Sequence, residues 1–117
     1  MKMFKIKTMG ETTLIPAKTL DDAYAKFFIE VKTGRYPMDK VGGLIMVTDP
    51  DDGEEYGFRT TPTLWLMELI SAETAFATIE KMLDLDPFTD DSANLLLQTA
   101  RTDGWILDQI KQLEAGA

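Results

Sequence analysis

The sequence predicts an α+β fold: a β-β-α-β-β half forming a four-stranded antiparallel or mixed sheet with one helix on a face, followed by a C-terminal cluster of about four helices. Three observations carry this. Apolar residues alternate with period two through most of residues 1–60, one long stripe at helical spacing interrupts them, and beyond Thr61-Pro62 only helical spacing recurs. At 117 residues the chain suits a single α+β domain over 1–117, with 1–60 as its β-β-α-β-β part and 61–117 as its helical part.

The sheet is organised around Val41 to Arg59, which reads as a hairpin. Leu44 to Val47 is an apolar, partly β-branched run, Asp49 to Gly53 a tight loop, and Tyr56 and Phe58 share one face of the return strand. Asp52-Gly53 supplies the turn, since Gly tolerates positive φ and Asp bonds its own backbone. Four consecutive apolar residues predict burial on both faces, and so a strand in the middle of the sheet. Upstream, Lys2 to Thr8 alternates with Phe4 and Ile6 on one side and Met3, Lys5 and Lys7 on the other; Gly10 reverses the chain and Thr12 to Ala17 returns. Pro16 lacks an N–H, so this strand ends there or lies at the sheet edge.

Leu20, Ala23, Tyr24, Phe27, Phe28 and Val31 form one continuous helical stripe. Thr19 is placed to cap it, with Asp22 three residues on, and Gly34 followed by Pro37 stops it. Arg35 to Lys40 is then a connecting loop. In the second half, Thr61-Pro62 reads as a helix entrance, Thr capping and Pro first in the helix. The run Leu64 to Ile70 is apolar nearly all round, which implies a helix buried on every side or covered by a partner. Ser71 caps a helix whose stripe is Ala72, Ala75, Phe76, Ile79, Met82 and Leu83, ending near Leu85 before the break at Asp86-Pro87. Thr89 to Asp91 opens another, with Ala93, Leu96, Leu97 and Ala100 inward; Asp103-Gly104 breaks it. Trp105, Ile106, Ile110 and Leu113 make the final stripe, and Glu114 to Ala117 should fray.

Composition removes several chemistries. The chain has neither Cys nor His, which excludes disulfides, thiol nucleophiles, imidazole bases and His/Cys zinc sites. No apolar run approaches the roughly 18 residues of a membrane span. Lys5 and Lys7 interrupt the N-terminus too early for a signal peptide, so a cytoplasmic protein that does not engage membranes is expected. Residues 1–59 carry nine Lys/Arg against ten Asp/Glu and residues 60–117 three against ten, so the net charge of −8 lies almost wholly in the second half. An acidic half of that kind argues against direct nucleic-acid binding.

No catalytic residue, cofactor site or metal ligand is assigned from the sequence. Asp49, Asp51 and Asp52 superficially resemble a calcium loop, but Gly53 is fifth where the EF-hand needs it sixth, and Thr60 stands where its twelfth-position Glu belongs; a polar turn explains them. Asp84-x-Asp86 sits at a helix C-terminus, where negative charge opposes the dipole. Ser71 and Ser92 have no His to activate them, and Gly42-Gly43 lacks the Gly-Lys-Ser/Thr of a phosphate loop. The large apolar side chains are the remaining signal. Trp65 and Met67, with Trp105 in the last helix, are the candidate interaction residues, on a non-catalytic interaction or regulatory module that self-associates as a homodimer or binds a protein partner. Two alternatives stand beside it: an acidic nucleic-acid mimic blocking a basic protein surface, and a carboxylate-dependent metal enzyme.

Overall fold

Alternation in the first seventeen residues becomes a hairpin, in which β1 (Lys2–Lys7) pairs antiparallel with β2 (Thr12–Ala17) from Lys2↔Ala17 to Lys7↔Thr12. The computed structural model describes residues 1–84, 89, 91, 93–96, 98 and 104–116. Phe4, Ile6, Ile15 and Ala17 are buried on one side of this hairpin, while Met3, Lys5, Leu14 and Pro16 face the other.

α1 (Leu20–Lys32) forms as its stripe requires. Thr19 Oγ1 accepts the Asp22 N–H at 3.2 Å, and the Asp22 carboxylate reaches back to the Lys18 N–H, one residue further than a capping box would. Gly34, at φ +81°, takes the left-handed conformation that ends the helix. Ala23, Tyr24, Phe27, Phe28 and Val31 are buried against the sheet. Phe27 meets Phe28 and Tyr36 edge-on at 5.7 and 5.2 Å between ring centroids. Tyr36 comes from the stretch read as a plain loop, which here carries a short 3₁₀ turn (Met38–Lys40) and contributes directly to the core, next to Val41 at the start of the hairpin segment.

β3 (Leu44–Thr48) and β4 (Glu55–Arg59) complete a sheet of order β2-β1-β3-β4 in which every pairing is antiparallel. β3 is an interior strand, as expected, but not because both its faces are buried. Ile45 and Val47 are buried, whereas Leu44 is 49% exposed and Met46 half-buried. The run of four apolar residues combines one core face with an apolar outer face.

The helical half departs most from the sequence reading. α2 (Thr61–Leu66) has Thr60, not Thr61, at its N-terminal boundary position, and the Thr60 hydroxyl donates to the Gly42 carbonyl and makes no capping bond. It stops four residues before Ile70. Leu69 N–H donates to Leu64 O at 3.0 Å and Glu68 N–H to Trp65 O at 2.9 Å, a Schellman closure in which Glu68 takes φ +62° where Gly is usual. Leu66 is therefore 39% exposed, and the run Leu64 to Ile70 is not one helix buried on every side but the end of a short helix and the turn that closes it.

α3 (Ala72–Leu83) starts at Ser71, whose Oγ accepts the Thr74 N–H at 3.1 Å, and ends on Asp84 in the left-handed region. It approaches the start of β3 because Gly43 has no side chain: a Cβ there would lie 2.9 Å from Thr78 Cγ2 and 3.0 Å from Met82 Sδ. Asp91, residues 93–96 and Gln98 are helical, and Ala93 N–H donates to Thr89 O, consistent with a helix opening there. The proposed breaks at Asp86-Pro87 and Asp103, and Leu85, Asp90, Ser92, Leu97, Ala100 and Ala117, lie outside the described residues.

α4 (Gly104–Ala115) buries Ile106 and Ile110 but leaves Trp105 38% exposed, so Trp105 does not belong to the inward stripe. The helix also continues through Glu114, which pairs with Lys32 of α1 at 3.2 Å, where fraying was expected. The main core joins the inner sheet face and α1 to Leu64, Ile106 and Ile110. A second cluster of Ala75, Ile79 and Leu96 packs beneath Trp65 and Phe76. Among the described residues, no helix is long and apolar enough to cross a membrane.

Candidate interaction surface

Among the described residues, helices cover the sheet on one face only. On the other, strand register sets Lys5 beside Leu14 and Thr48, Lys7 beside Met46, and Leu44 beside Arg59. Leu14 is 59% exposed, Leu44 49% and Met3 48%, and Met1 and Met9 extend the same apolar character at the two ends of β1. Close to Lys7 and Met46 the surface dips into a hollow of about 250 Å³, also lined by Met9, Leu44 and Glu55. Large exposed apolar side chains are thus concentrated on the sheet, with Leu66 and Trp105 the described examples on helices.

Lys2, Lys26, Lys32 and Lys40 are held in ion pairs with Asp49 and Asp51, Asp22, Glu114 and Glu11 respectively. Lys5, Lys7 and Arg59 on this face make no ion pair among the described residues, nor do Lys18, Arg35, Lys81 and Lys111 elsewhere. No aromatic ring stands on the outward positions of the four strands, which carry Met, Leu, Pro, Thr, Lys, Arg, Glu and Gly57. These outward positions themselves therefore carry no ring for a nucleobase to stack on.

The acidic loop between β3 and β4 is internally bonded. Asp49 Oδ1 accepts the Asp51 N–H at 2.9 Å, Asp51 binds Lys2 at 2.7 Å, and Asp52 accepts the Glu54 N–H at 2.8 Å and the Tyr56 hydroxyl at 2.9 Å. The Glu54 N–H, and after it the Tyr56 hydroxyl, hold the Asp52 carboxyl below its ordinary range, and the bond to Asp52 raises Tyr56 in return. Lys2 is raised chiefly by its hydrogen bond to Asp51. Among the described residues, no three carboxylates gather around a common point.

The three residues singled out from sequence do not form one patch. Trp65 is half-buried over the second core cluster, and Met67 is half-buried against the main core. Met67 also lines a cleft of about 240 Å³ with Leu66, Leu107, Lys32 and Lys111. Trp105 stands apart from that cleft on α4. What sequence reasoning passed over is the outer sheet face, and its signal was present: Met3, Leu14, Leu44 and Met46 all fall on the polar side of the alternation. No family model, curated protein or solved structure matches this chain.

Proposed function

We propose that the protein is a non-catalytic interaction module that docks a protein partner through the open face of its sheet. The observation that supports this most is the set of half-exposed Met3, Leu14 and Leu44 interleaved with the unpaired cations Lys5, Lys7 and Arg59. On a chain of net charge −8, a local cationic and apolar face selects a partner surface that is itself apolar with carboxylates around it. Methionine adds tolerance of an irregular contact surface.

A second reading keeps the contact on the helical half, at Met67 and Trp105, and rests on the 38% exposure of Trp105 and the cleft beside Met67. One experiment separates the two. The partner is captured from a lysate of the source cells on immobilised protein, identified, and titrated against wild type, Leu14→Glu, Leu44→Glu and Trp105→Ala. Leu14 and Leu44 are exposed enough to be changed without emptying the core. Each Leu→Glu change is expected to weaken binding about tenfold or more, since burying a leucine contributes ~1.5–3 kcal/mol and about 1.4 kcal/mol is a factor of ten. Full affinity in both, with loss in Trp105→Ala, would move the site to the helices.

A further inference from the structure

The sheet has two edges, and they are treated differently. At β2 the edge is blunted: Pro16 has no N–H to offer, and its carbonyl accepts Lys26 Nζ at 2.9 Å. β4 has no proline, no lysine and no bulge, its register with β3 running one-to-one from Leu44↔Arg59 to Thr48↔Glu55. Glu55, Tyr56, Gly57 and Arg59 are exposed.

The direction of its free backbone groups follows from the two ends of the ladder. Asp49 N–H donates to Glu54 O, and Thr60 N–H donates to Gly43 O. Antiparallel pairing alternates, so the even-numbered residues between them bond to β3, and Glu55, Gly57 and Arg59 turn their N–H and C=O groups outward. These three residues also share the open face of the sheet.

We propose that the free edge of β4 pairs antiparallel with the β4 of a second copy about a two-fold axis at Gly57. The sequence Glu55-Tyr56-Gly57-Phe58-Arg59 is self-complementary about its centre. In this register Glu55 faces Arg59 of the second copy and Arg59 faces its Glu55, both as hydrogen-bonded pairs, while Tyr56 faces Phe58 on the inner side. Neither charged residue has an ion-pair partner among the described residues of its own chain. A shift of two residues either way sets Arg59 against Gly53 or Gly57, and a parallel arrangement brings like charges together, so the charges select the register. Strand addition of this kind joins the two sheets into one and makes their open faces continuous. It goes beyond the docking role of the open face, whose test above stands or falls separately.

The test is solution mass by sedimentation and light scattering, from low to high micromolar concentration, with circular dichroism to verify folding. Wild type is expected to dimerise. Glu55→Arg and Arg59→Glu are each expected to weaken the dimer about tenfold or more, because each turns both cross-strand attractions into repulsions. An equimolar mixture of the two variants restores the dimer mass, and so does the double variant E55R/R59E. Gly57→Pro, which removes an outward-facing N–H and places its Cβ in ordinary contact with Met46 Sδ at 3.5 Å, abolishes it in a chain that circular dichroism shows to be folded. A wild type that stays monomeric, a dimer unaffected by both single changes, or a mixture of folded variants that stays monomeric would each overturn the proposal.

Discussion

Phe27→Ala tests the packing on which the open face depends, because α1 is the helix that seals the opposite side of the sheet. The Phe27 ring is fully buried, and it meets Phe28 and Tyr36 edge-on at 5.7 and 5.2 Å. Removing a buried phenylalanine costs about 3–5 kcal/mol through lost transfer energy and the cavity left behind. Losing two edge-to-face contacts, each worth about 0.5–1.5 kcal/mol beyond area, places this site toward the upper end. A chain of this length has a total stability of only about 6–18 kcal/mol. Urea denaturation should therefore show a much lower midpoint with an unchanged slope, while Phe27→Leu, which keeps most of the volume but loses both ring contacts, should cost less than Phe27→Ala, about 1–3 kcal/mol. Loss below about 1 kcal/mol in Phe27→Ala at constant slope would mean that α1 does not seal the sheet through this ring.

Three further outcomes follow from local features. Glu68 holds a left-handed conformation that costs an L-residue about 1–2 kcal/mol, so Glu68→Gly should raise stability by up to about 1 kcal/mol in the same denaturation assay. Asp52 has a depressed pKa, so its contribution is present above the ordinary carboxylate range and is lost as pH falls through the depressed value; Asp52→Asn should flatten the acid limb of a midpoint-versus-pH curve. Lys2 has a raised pKa, so its contribution is complete below the ordinary lysine value and is lost as pH rises through the raised one; Lys2→Met should lower the midpoint at neutral pH and converge with wild type on the alkaline limb. Cutting the chain near Thr60 should leave neither piece with a cooperative melt, because Leu64, Ile106 and Ile110 share a core cluster with Phe4, Ile6 and Phe27.

Elements whose signals are local were legible in the sequence. α1 combines a six-residue stripe, a threonine cap and a glycine stop, and each is satisfied by bonds within a few residues. The hairpin Val41 to Arg59 is similarly specified by its turn, where Asp52 bonds Glu54 and Tyr56. The end of α2 was not legible, since its closure uses Glu68 where the usual signal is glycine, and an apolar run gives no clue that the chain turns within it. Trp105 shows a different limit: periodicity cannot assign a residue at the border of a stripe to core or solvent. The open face was hidden for a tertiary reason. Alternation identifies Met3 and Leu14 as opposite to Phe4 and Ile15, but only the placement of the helices decides whether that opposite side is covered.

That one-sided cover separates charge across the molecule. The open face presents Lys5, Lys7 and Arg59 against Glu55, while the helical half carries most of the net −8. Electrostatics alone would then favour stacking one copy's sheet face on the next copy's helices. Such a contact is heterologous, and nothing in it stops growth, so mass would climb steadily with concentration. Pairing through β4 is isologous and uses up the edge it forms on; the remaining edge, on β2, is blocked by Pro16 and Lys26. Association should therefore stop at twice the 13.1 kDa chain mass. A distribution extending past that point would favour stacking over edge pairing, and Lys5→Glu with Lys7→Glu would then collapse it where Gly57→Pro would not.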